Sequence, residues 1–459
     1  MKRFFFFLLL FFLHSHLFAQ IDKEFWFAAP EIAQSHGDRP IMWRISTMED
    51  TAQITLRMPA GLWFTPITQT IPPNSSFSIN LTPWIDSIEN KPANKVHFRG
   101  LYMTSTANVT CYYEIKHPNN PGIFSLKGKN AMGKYFYIVS QNDYRNQVGQ
   151  ESFDIVATED NTIVTITPSD TIVGHGAGIP FNITLQKGQT FTARAIYTTF
   201  NRTLSGSKIT SDKPIAVSWQ DDSIFQGASY DVICDQIVPL NILGLEYIAI
   251  RGFANNNERI YVCGTQDSTI LFIDGNPVAV DTIQTAELFK YSFPSGNNTI
   301  KLNATKPVHV MHLSGNNNEF GGAILPHDSC TGSRQVRFYR SSSNMFSLMV
   351  LTKNGNQDSF YLDGDPTLLA ATDFSVVNGT SNAWVYARKT FTMAQLDTSA
   401  HLLVNTNGKF HLGILNNLGA SSEYGYFSDF SSLYLGADAN FCLGDSLVLD
   451  GGAYMTSYQ

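Results

Sequence analysis

Charged residues and cysteines are both scarce in this chain. Lys, Arg, Asp and Glu make up 15% of the 459 residues, and the formal net charge of −7 is spread along the sequence. No basic stripe is present that would meet phosphate groups, so nucleic acid is not an expected partner. Five cysteines are too few to form a disulfide framework in a chain of this length.

Long apolar segments are also absent, except at the start. Lys2 and Arg3 precede an apolar run over residues 4–13 and a polar stretch that ends at Ala19. The run is shorter than the roughly 18 to 20 apolar residues of a membrane-spanning helix, and a small residue stands where a signal peptidase cleaves. We therefore predict a signal peptide over residues 1–19 and a secreted or cell-surface chain with no membrane span in its mature part. The alternative is an uncleaved anchor.

What the sequence does contain is a signature that recurs four times. Its first half is an apolar strand, a polar turn and an alternating strand. This half reads RISTMEDTAQITL (44–56), DIVATEDNTIVTI (154–166), YVCGTQDSTILFI (261–273) and LMVLTKNGNQDSFYL (348–362). The second half follows as a strand, a small polar turn and an alternating apolar run. It reads MTSTANVTCYYEI (103–115), ITSDKPIAVSWQD (209–221), LNATKPVHVMHLSG (302–315) and VNTNGKFHLGILNN (404–417).

This signature predicts an all-β fold. Its turns carry Pro, Asn, Asp and Gly, which favour tight turns, and its flanking runs alternate with the period of a half-buried strand. Copies spaced about one hundred residues apart have the size of a small β domain. We expect four tandem related β modules, sandwich-like or closed as a propeller-like ring. The units are expected near residues 22–116, 117–222, 223–315 and 316–420, within a repeat region over 20–420.

The cysteines fall in different contexts of the repeat. Cys111 and Cys263 occupy positions where other copies carry Val or Leu, so we expect them to be buried apolar residues. Cys234 and Cys330 lie in connecting segments outside the signature. They form a candidate disulfide pair in an oxidising compartment.

The last segment of the chain departs from the repeat. A junction over residues 421–434 precedes a strand, a Gly-Asp turn, a second strand and a Gly-Gly turn over residues 435–459. This pattern is typical of the start of an Ig-like or PKD-like sandwich, and two strands cannot bury the core of such a domain. We therefore expect the natural protein to continue beyond this sequence.

Catalytic motifs are absent from the sequence. It contains no G-x-S-x-G elbow, no H-E-x-x-H and no Gly-rich loop that leads into a helix. His309 and His312 are three residues apart on a predicted strand, so they point to opposite faces and do not form a metal pair. His309 also aligns with His411 of the next copy, which favours a structural role. We expect no enzyme activity, no metal site and no cofactor.

The acidic residues give two further patterns. Asp221, Asp222 and Asp231 form a local acidic concentration, and paired carboxylates serve acid-base chemistry or calcium binding. Because the first two follow an expected strand end, a loop that caps its own backbone is favoured. Asp274 and Asp363 begin the strings DGNP and DGDP, which we interpret as hairpin turns in preference to calcium ligands.

Two tryptophans are the candidate binding residues. Trp63 and Trp84 lie in the long insert between the two signature halves of the first copy, among several prolines. Aromatic residues in loops on a rigid β scaffold are a common source of protein or glycan contacts. The alternative is that both rings fill the gap between neighbouring modules.

Several segments resemble the N-terminal domain of the IgG Fc-binding protein family, which also occurs in secreted bacterial proteins. They are DIVATEDNTIVTITPS, LQKGQTFTARA, LSGSKITSDKPIAVSWQDDS and CDQIVPLNILGLEYIAI, and the resemblance extends over roughly residues 22–420. It implies an extracellular, non-enzymatic role in binding or adhesion. We therefore expect a secreted or cell-surface protein that recognises an extracellular protein or glycan. The alternatives are a structural spacer of a larger surface protein and a secreted carbohydrate-active enzyme.

Overall fold

The protein is described by a computed structural model over residues 21–430, apart from 147–148, 198, 200, 227–228, 256–257, 330 and 418–420. The expected signal peptide and the expected Ig-like start therefore lie outside the described residues. Within the described part, strands dominate, as the alternating sequence predicts. One α-helix, α1 (Ile85–Ile88), and short 3-10 turns interrupt them.

The strands form four groups in chain order, which we call units 1 to 4. Unit 1 holds β1 (Asp22–Phe27), β2 (Ile41–Thr47), β3 (Ala52–Arg57), β4 (Ile67–Ile71), β5 (Ser76–Asn80), β6 (Val96–His97), β7 (Leu101–Ile115) and β8 (Gly122–Ser125). Unit 2 holds β9 (Met132–Tyr137), β10 (Arg145–Asn146), β11 (Ser152–Ala157), β12 (Thr162–Thr167), β13 (Phe181–Leu185), β14 (Thr190–Arg194), β15 (Lys208–Gln226) and β16 (Ser229–Ile237).

The second half of the chain repeats this order. Unit 3 holds β17 (Gly244–Ile250), β18 (Phe253–Ala254), β19 (Arg259–Gly264), β20 (Thr269–Ile273), β21 (Asp281–Ile283), β22 (Leu288–Ser292), β23 (Thr299–Asn317) and β24 (Glu319–Ile324). Unit 4 holds β25 (Gln335–Tyr339), β26 (Phe346–Lys353), β27 (Phe360–Leu362), β28 (Phe374–Val376), β29 (Trp384–Phe391), β30 (Ala400–Asn405), β31 (Phe410–Asn417) and β32 (Ser422–Tyr426). The unit limits expected from the sequence stay a prediction.

Each unit is organised by one long strand that bends. In unit 2 the first half of β15 pairs with β9 and β12, and its second half pairs with β11 and β16. The register with β9 shifts between Thr210 and Ile215, where Pro214 supplies no backbone N–H. The long strand therefore belongs to two sheet halves. In unit 4 the same path is divided into β30 and β31, with Gly408 in the turn between them.

The four copies of the signature pair in the same register. The residue that the sequence alignment places at the centre of each long strand faces the equivalent residue of the signature hairpin. The pairs are Ile45 with Cys111, Ile155 with Val217, Val262 with Val310, and Val350 with Leu412. All eight side chains are buried, so the expected set of related β modules is confirmed.

The units close into a ring around their last strands. Strand β8 contacts β16, β16 contacts β24, β24 contacts β32, and β32 contacts β8. A glycine lies at each of these contacts, because the strands approach too closely for a side chain. The glycines and the residues they face are Gly122 with Cys234, Gly322 with Ile233, Gly321 with Tyr424, and Gly425 with Ile123. Of the two arrangements left open by the sequence, the structure shows the propeller-like ring.

A buried ion pair holds the centre of this ring. Lys127 Nζ lies 2.7 Å from Asp235 Oδ1, and the two side chains are 0% and 1% exposed. Asp235 also accepts hydrogen bonds from the Ser125 hydroxyl at 2.9 Å and from the Ile324 N–H at 2.9 Å. One carboxylate therefore joins units 1, 2 and 3.

Candidate functional site

Trp63 lies on an exposed apolar surface at the junction of units 1 and 2. It belongs to the loop between β3 and β4, and its side chain is 50% exposed. Leu62 beside it is 95% exposed and Phe98 is 54% exposed. A Cβ at Gly61 would lie 2.7 Å from the Phe98 carbonyl, so the segment that carries Phe98 runs directly beside the loop. We call Leu62, Trp63, Val96 and Phe98 the Trp63 surface.

Buried neighbours hold the loop that carries Trp63. The N–H of Gly61 donates to the carbonyl of Met58 and the N–H of Phe64 donates to the carbonyl of Gly61, both at 3.0 Å. Met58 and Phe64 are buried in the core of unit 1. Two turns with anchored ends leave Leu62 and Trp63 at the tip, directed to solvent. The apolar tip is therefore a property of a rigid loop.

Trp84 lies near Trp63, but in a different environment. Its ring packs edge to face on Phe64 at 5.7 Å, and the Trp63 ring meets the same Phe64 at 6.0 Å. Trp84 is half-buried and packs against the core of unit 1. The structure thus brings both predicted tryptophans to one aromatic residue, with Trp63 the more exposed of the two.

The other side of the Trp63 surface is held by unit 2. Strand β6 carries Val96 and pairs with β14, so this segment of unit 1 is an edge strand of the sheet of unit 2. The buried carboxylate of Glu89 pairs with Lys91 Nζ at 2.9 Å, and burial raises the pKa of Glu89 to about 7. The sequence gave no sign of Phe98, because it is an isolated aromatic residue that reaches the loop only through this pairing.

The acidic concentration of unit 2 is part of the scaffold. The expectation that Asp221 and Asp222 lie in a loop is wrong, because β15 continues through both to Gln226. Asp222 accepts hydrogen bonds from the Ala33 N–H at 2.7 Å and pairs with His36 Nδ1 at 2.8 Å. These donors belong to unit 1 and keep the strand extended. Burial raises the pKa of Asp221 and of Asp231 well above the usual range.

The three aligned histidines are buried and have structural partners. His309 Nδ1 lies 3.1 Å from the Tyr137 carbonyl in unit 2, whereas His312 Nδ1 lies 3.0 Å from the Tyr424 hydroxyl in unit 4. The two rings therefore point to opposite sides of the strand, as predicted. Burial lowers the pKa of His309 to about 4 and of His312 and His411 to about 3, so all three are neutral.

The Asp-Gly strings form turns, as predicted. Asp274 Oδ1 accepts the N–H of Lys301 at 2.9 Å, and Asp363 Oδ1 accepts the N–H of Leu402 at 2.8 Å. Each aspartate thus caps the long strand beside its turn. No group of three or more His, Cys, Asp or Glu side chains within the described residues is arranged to hold a metal ion.

The cysteines of the described part lie in cores. Cys111 and Cys263 are buried, as their repeat positions predict. Cys234 is buried as well, with its Sγ 3.6 Å from the Ile123 carbonyl. Because Cys330 lies outside the described residues, the pair Cys234–Cys330 stays a prediction.

The sequence matches the family described as IgGFc binding protein over residues 124–415. The match covers more than half of the chain, and the chain belongs to this family of binding proteins. No curated protein matches the sequence. One similar solved structure is the crystal structure of a tetra-tandem repeat in the extending region of a large adhesion protein. It shares 9% identity over 83% of this chain and 92% of that chain, with a TM-score of 0.10, so it carries no argument about this chain.

Two further findings concern location. The family is extracellular. Among the residues that the structure describes, no helix is long and apolar enough to cross a membrane.

Proposed function

We propose that this chain is a secreted or cell-surface adhesion protein that recognises an extracellular protein through the Trp63 surface. The observation that carries the proposal is the contact of exposed Leu62, Trp63 and Phe98 at a junction where two units hold both segments. Exposed apolar residues that cluster are typical of interaction sites, whereas single exposed ones are not. Tryptophan is also enriched among the residues that dominate the binding energy of protein interfaces.

A protein partner is favoured over a glycan at this surface. Leu62 and Val96 contribute aliphatic area, which suits the apolar core of a protein interface. The immunoglobulin Fc region is the first partner to test, because the family takes its name from it. A glycan remains the alternative ligand of this surface.

The proposal includes no catalytic turnover. Each acidic or histidine residue that the sequence offered for chemistry is buried and bonded to the scaffold, as with Asp222 and His312. The alternative of a carbohydrate-active enzyme is tested by incubating the purified chain with polysaccharide and peptide libraries. Release of products by the parent chain would overturn the non-enzyme proposal.

The binding test uses two exposed apolar residues as a matched pair. Trp63→Ala changes the proposed surface, and Ile179→Ala removes a 62% exposed side chain of unit 2 as the control. Trp84 is left unchanged, because its packing against the core would add a loss of stability to any loss of binding. Binding to immobilised Fc fragment and to an extract of extracellular proteins is measured by biolayer interferometry.

We expect Trp63→Ala to weaken capture at least about tenfold, which corresponds to roughly 1.4 kcal/mol, and Ile179→Ala to bind like the parent. Equal binding by both variants would place the site elsewhere. Absence of any captured protein would instead favour the structural spacer, the other alternative.

A further inference from the structure

A second recess lies between units 3 and 4, away from the Trp63 surface. Its volume is about 440 Å³, within the roughly 300 to 1,000 Å³ that small-molecule sites occupy. One wall is the outer face of the sheet of unit 3. The other wall is the turn that leads from β28 to β29 in unit 4, ending at Trp384. The recess thus exists only because the two units are packed together.

Three neighbouring strands place different chemical groups side by side in this recess. Glu246 on β17 faces Asn303 on β23, and Phe272 on β20 faces the same Asn303 from the other side. The row therefore presents a carboxylate, an amide and an aromatic ring in that order. The Asn303 side chain has no hydrogen-bond partner among the described residues, and an amide offers both donors and acceptors to a ligand.

Charge within the recess is already compensated. Lys301 Nζ lies 2.6 Å from Glu246 Oε2 and is also paired with Asp328. The Lys301 side chain is 5% exposed, whereas that of Glu246 is 45% exposed. The cation is thus satisfied behind the surface and attracts no anionic ligand. The accessible oxygen atoms of Glu246 remain acceptors for a neutral donor.

The backbone around the recess is held in a conformation that other residues avoid. Two turns that face each other contain five residues with positive φ. They are Asp274 at 50°, Gly275 at 70°, Gly379 at 73°, Ser381 at 49° and Asn382 at 65°. A Cβ at Gly379 would lie 2.1 Å from the Asp274 carbonyl carbon, so the turns are locked together. Clustered backbone strain of this kind is found at ligand-binding sites.

The equivalent row of unit 2 carries different side chains. Tyr135, Thr210 and Thr165 occupy the positions of Glu246, Asn303 and Phe272. Folding of the repeated unit therefore does not require the groups that line the recess. A position that departs from the repeat is the one where a specific function is expected, because the repeated positions serve the shared scaffold.

We propose that this recess binds a neutral sugar residue of a glycan. A sugar has hydroxyl groups that both donate and accept hydrogen bonds, which Glu246, Asn303 and the hydroxyl of Ser381 match. Its apolar C–H face packs on the ring of Phe272. The inference goes beyond the proposed protein contact and does not depend on it, because the Trp63 surface belongs to units 1 and 2.

The test is saturation-transfer NMR of the purified chain with glucose, galactose, mannose and N-acetylglucosamine. We expect at least one of them to bind with about millimolar affinity, since a single sugar makes few contacts. Asn303→Ala and Glu246→Gln should each weaken that binding about tenfold, through the loss of one hydrogen bond. Thr210→Ala in unit 2 is the matched control and should bind like the parent.

Three outcomes would overturn the proposal. They are no transfer from any of the four sugars, unchanged binding by both recess variants, and an equal loss in Thr210→Ala. Inorganic phosphate serves as a counter-probe, and competition by phosphate would contradict the neutral character of the site. Circular dichroism and melting of each variant show that it is folded. Capture of protein by the Trp63 surface should be unaffected in Asn303→Ala, so the two proposals fail separately.

Discussion

Asp235 at the centre of the ring is the residue whose loss should cost most stability. Asp235→Asn keeps the shape of the side chain and removes its charge, which leaves the Lys127 ammonium fully buried without a counter-ion. Removing one partner of a buried ion pair costs about 3 to 5 kcal/mol. The Asn amide also turns a donor toward a group that now donates to the carboxylate, such as the Ile324 N–H. The loss is a large part of the roughly 5 to 15 kcal/mol that stabilises a folded protein.

The assay is thermal and urea unfolding of the purified chain at neutral pH. Asp86→Asn is the control, because its pair with Lys91 lies at the surface with the aspartate 72% exposed, and such pairs contribute little. We expect a lower melting temperature in Asp235→Asn and none of that change in the control. Adding Lys127→Met should recover part of the loss, since the unpaired charge is then removed. A parent-like melting curve for Asp235→Asn would refute the role given to this carboxylate.

Three further perturbations test the core, the centre and the charge of the scaffold. Val217→Asp or Val310→Asp places a charge where the parent side chain is 0% exposed, and the cost of several kcal/mol should abolish secretion; soluble, parent-like protein would contradict the register. Gly321→Ala puts a Cβ 2.6 Å from the Cβ of Tyr424, so melting should occur at lower temperature, and an unchanged melt would argue against the ring contact. Burial raises the pKa of Asp154 to about 8, above its unfolded value of about 4. Stability of the parent should therefore fall as pH rises from about 4 to about 8, and Asp154→Asn should gain up to about 5 kcal/mol over the parent across that window. Parallel pH profiles in urea unfolding would disprove it.

The sequence predicts the interior of each unit well. Val217 and Val310 could be placed in cores because a strand with one buried face repeats its apolar residues with period two. Asp274 could be placed in a turn because Asp-Gly after a strand favours that backbone. These features depend on residues close together in the chain.

What joins the units could not be predicted in this way. Asp222 lies in an extended strand because its carboxylate accepts the N–H of Ala33, 189 residues away. Gly321 is required because Tyr424 of another unit approaches its backbone. The difference between exposed Trp63 and half-buried Trp84 arises from packing on Phe64 and the core. No local pattern of the sequence reports such contacts.

Small-angle X-ray scattering of the purified chain tests the closed ring most directly, and both binding proposals depend on the unit junctions of that ring. A compact body of about 410 residues has a radius of gyration of about 22 Å. Four separate units in a row, each of about 13 Å, would give roughly 40 Å. The ring predicts the smaller value, with a single-peaked distance distribution. A radius of gyration near the larger value would contradict the ring and the surfaces built on its junctions.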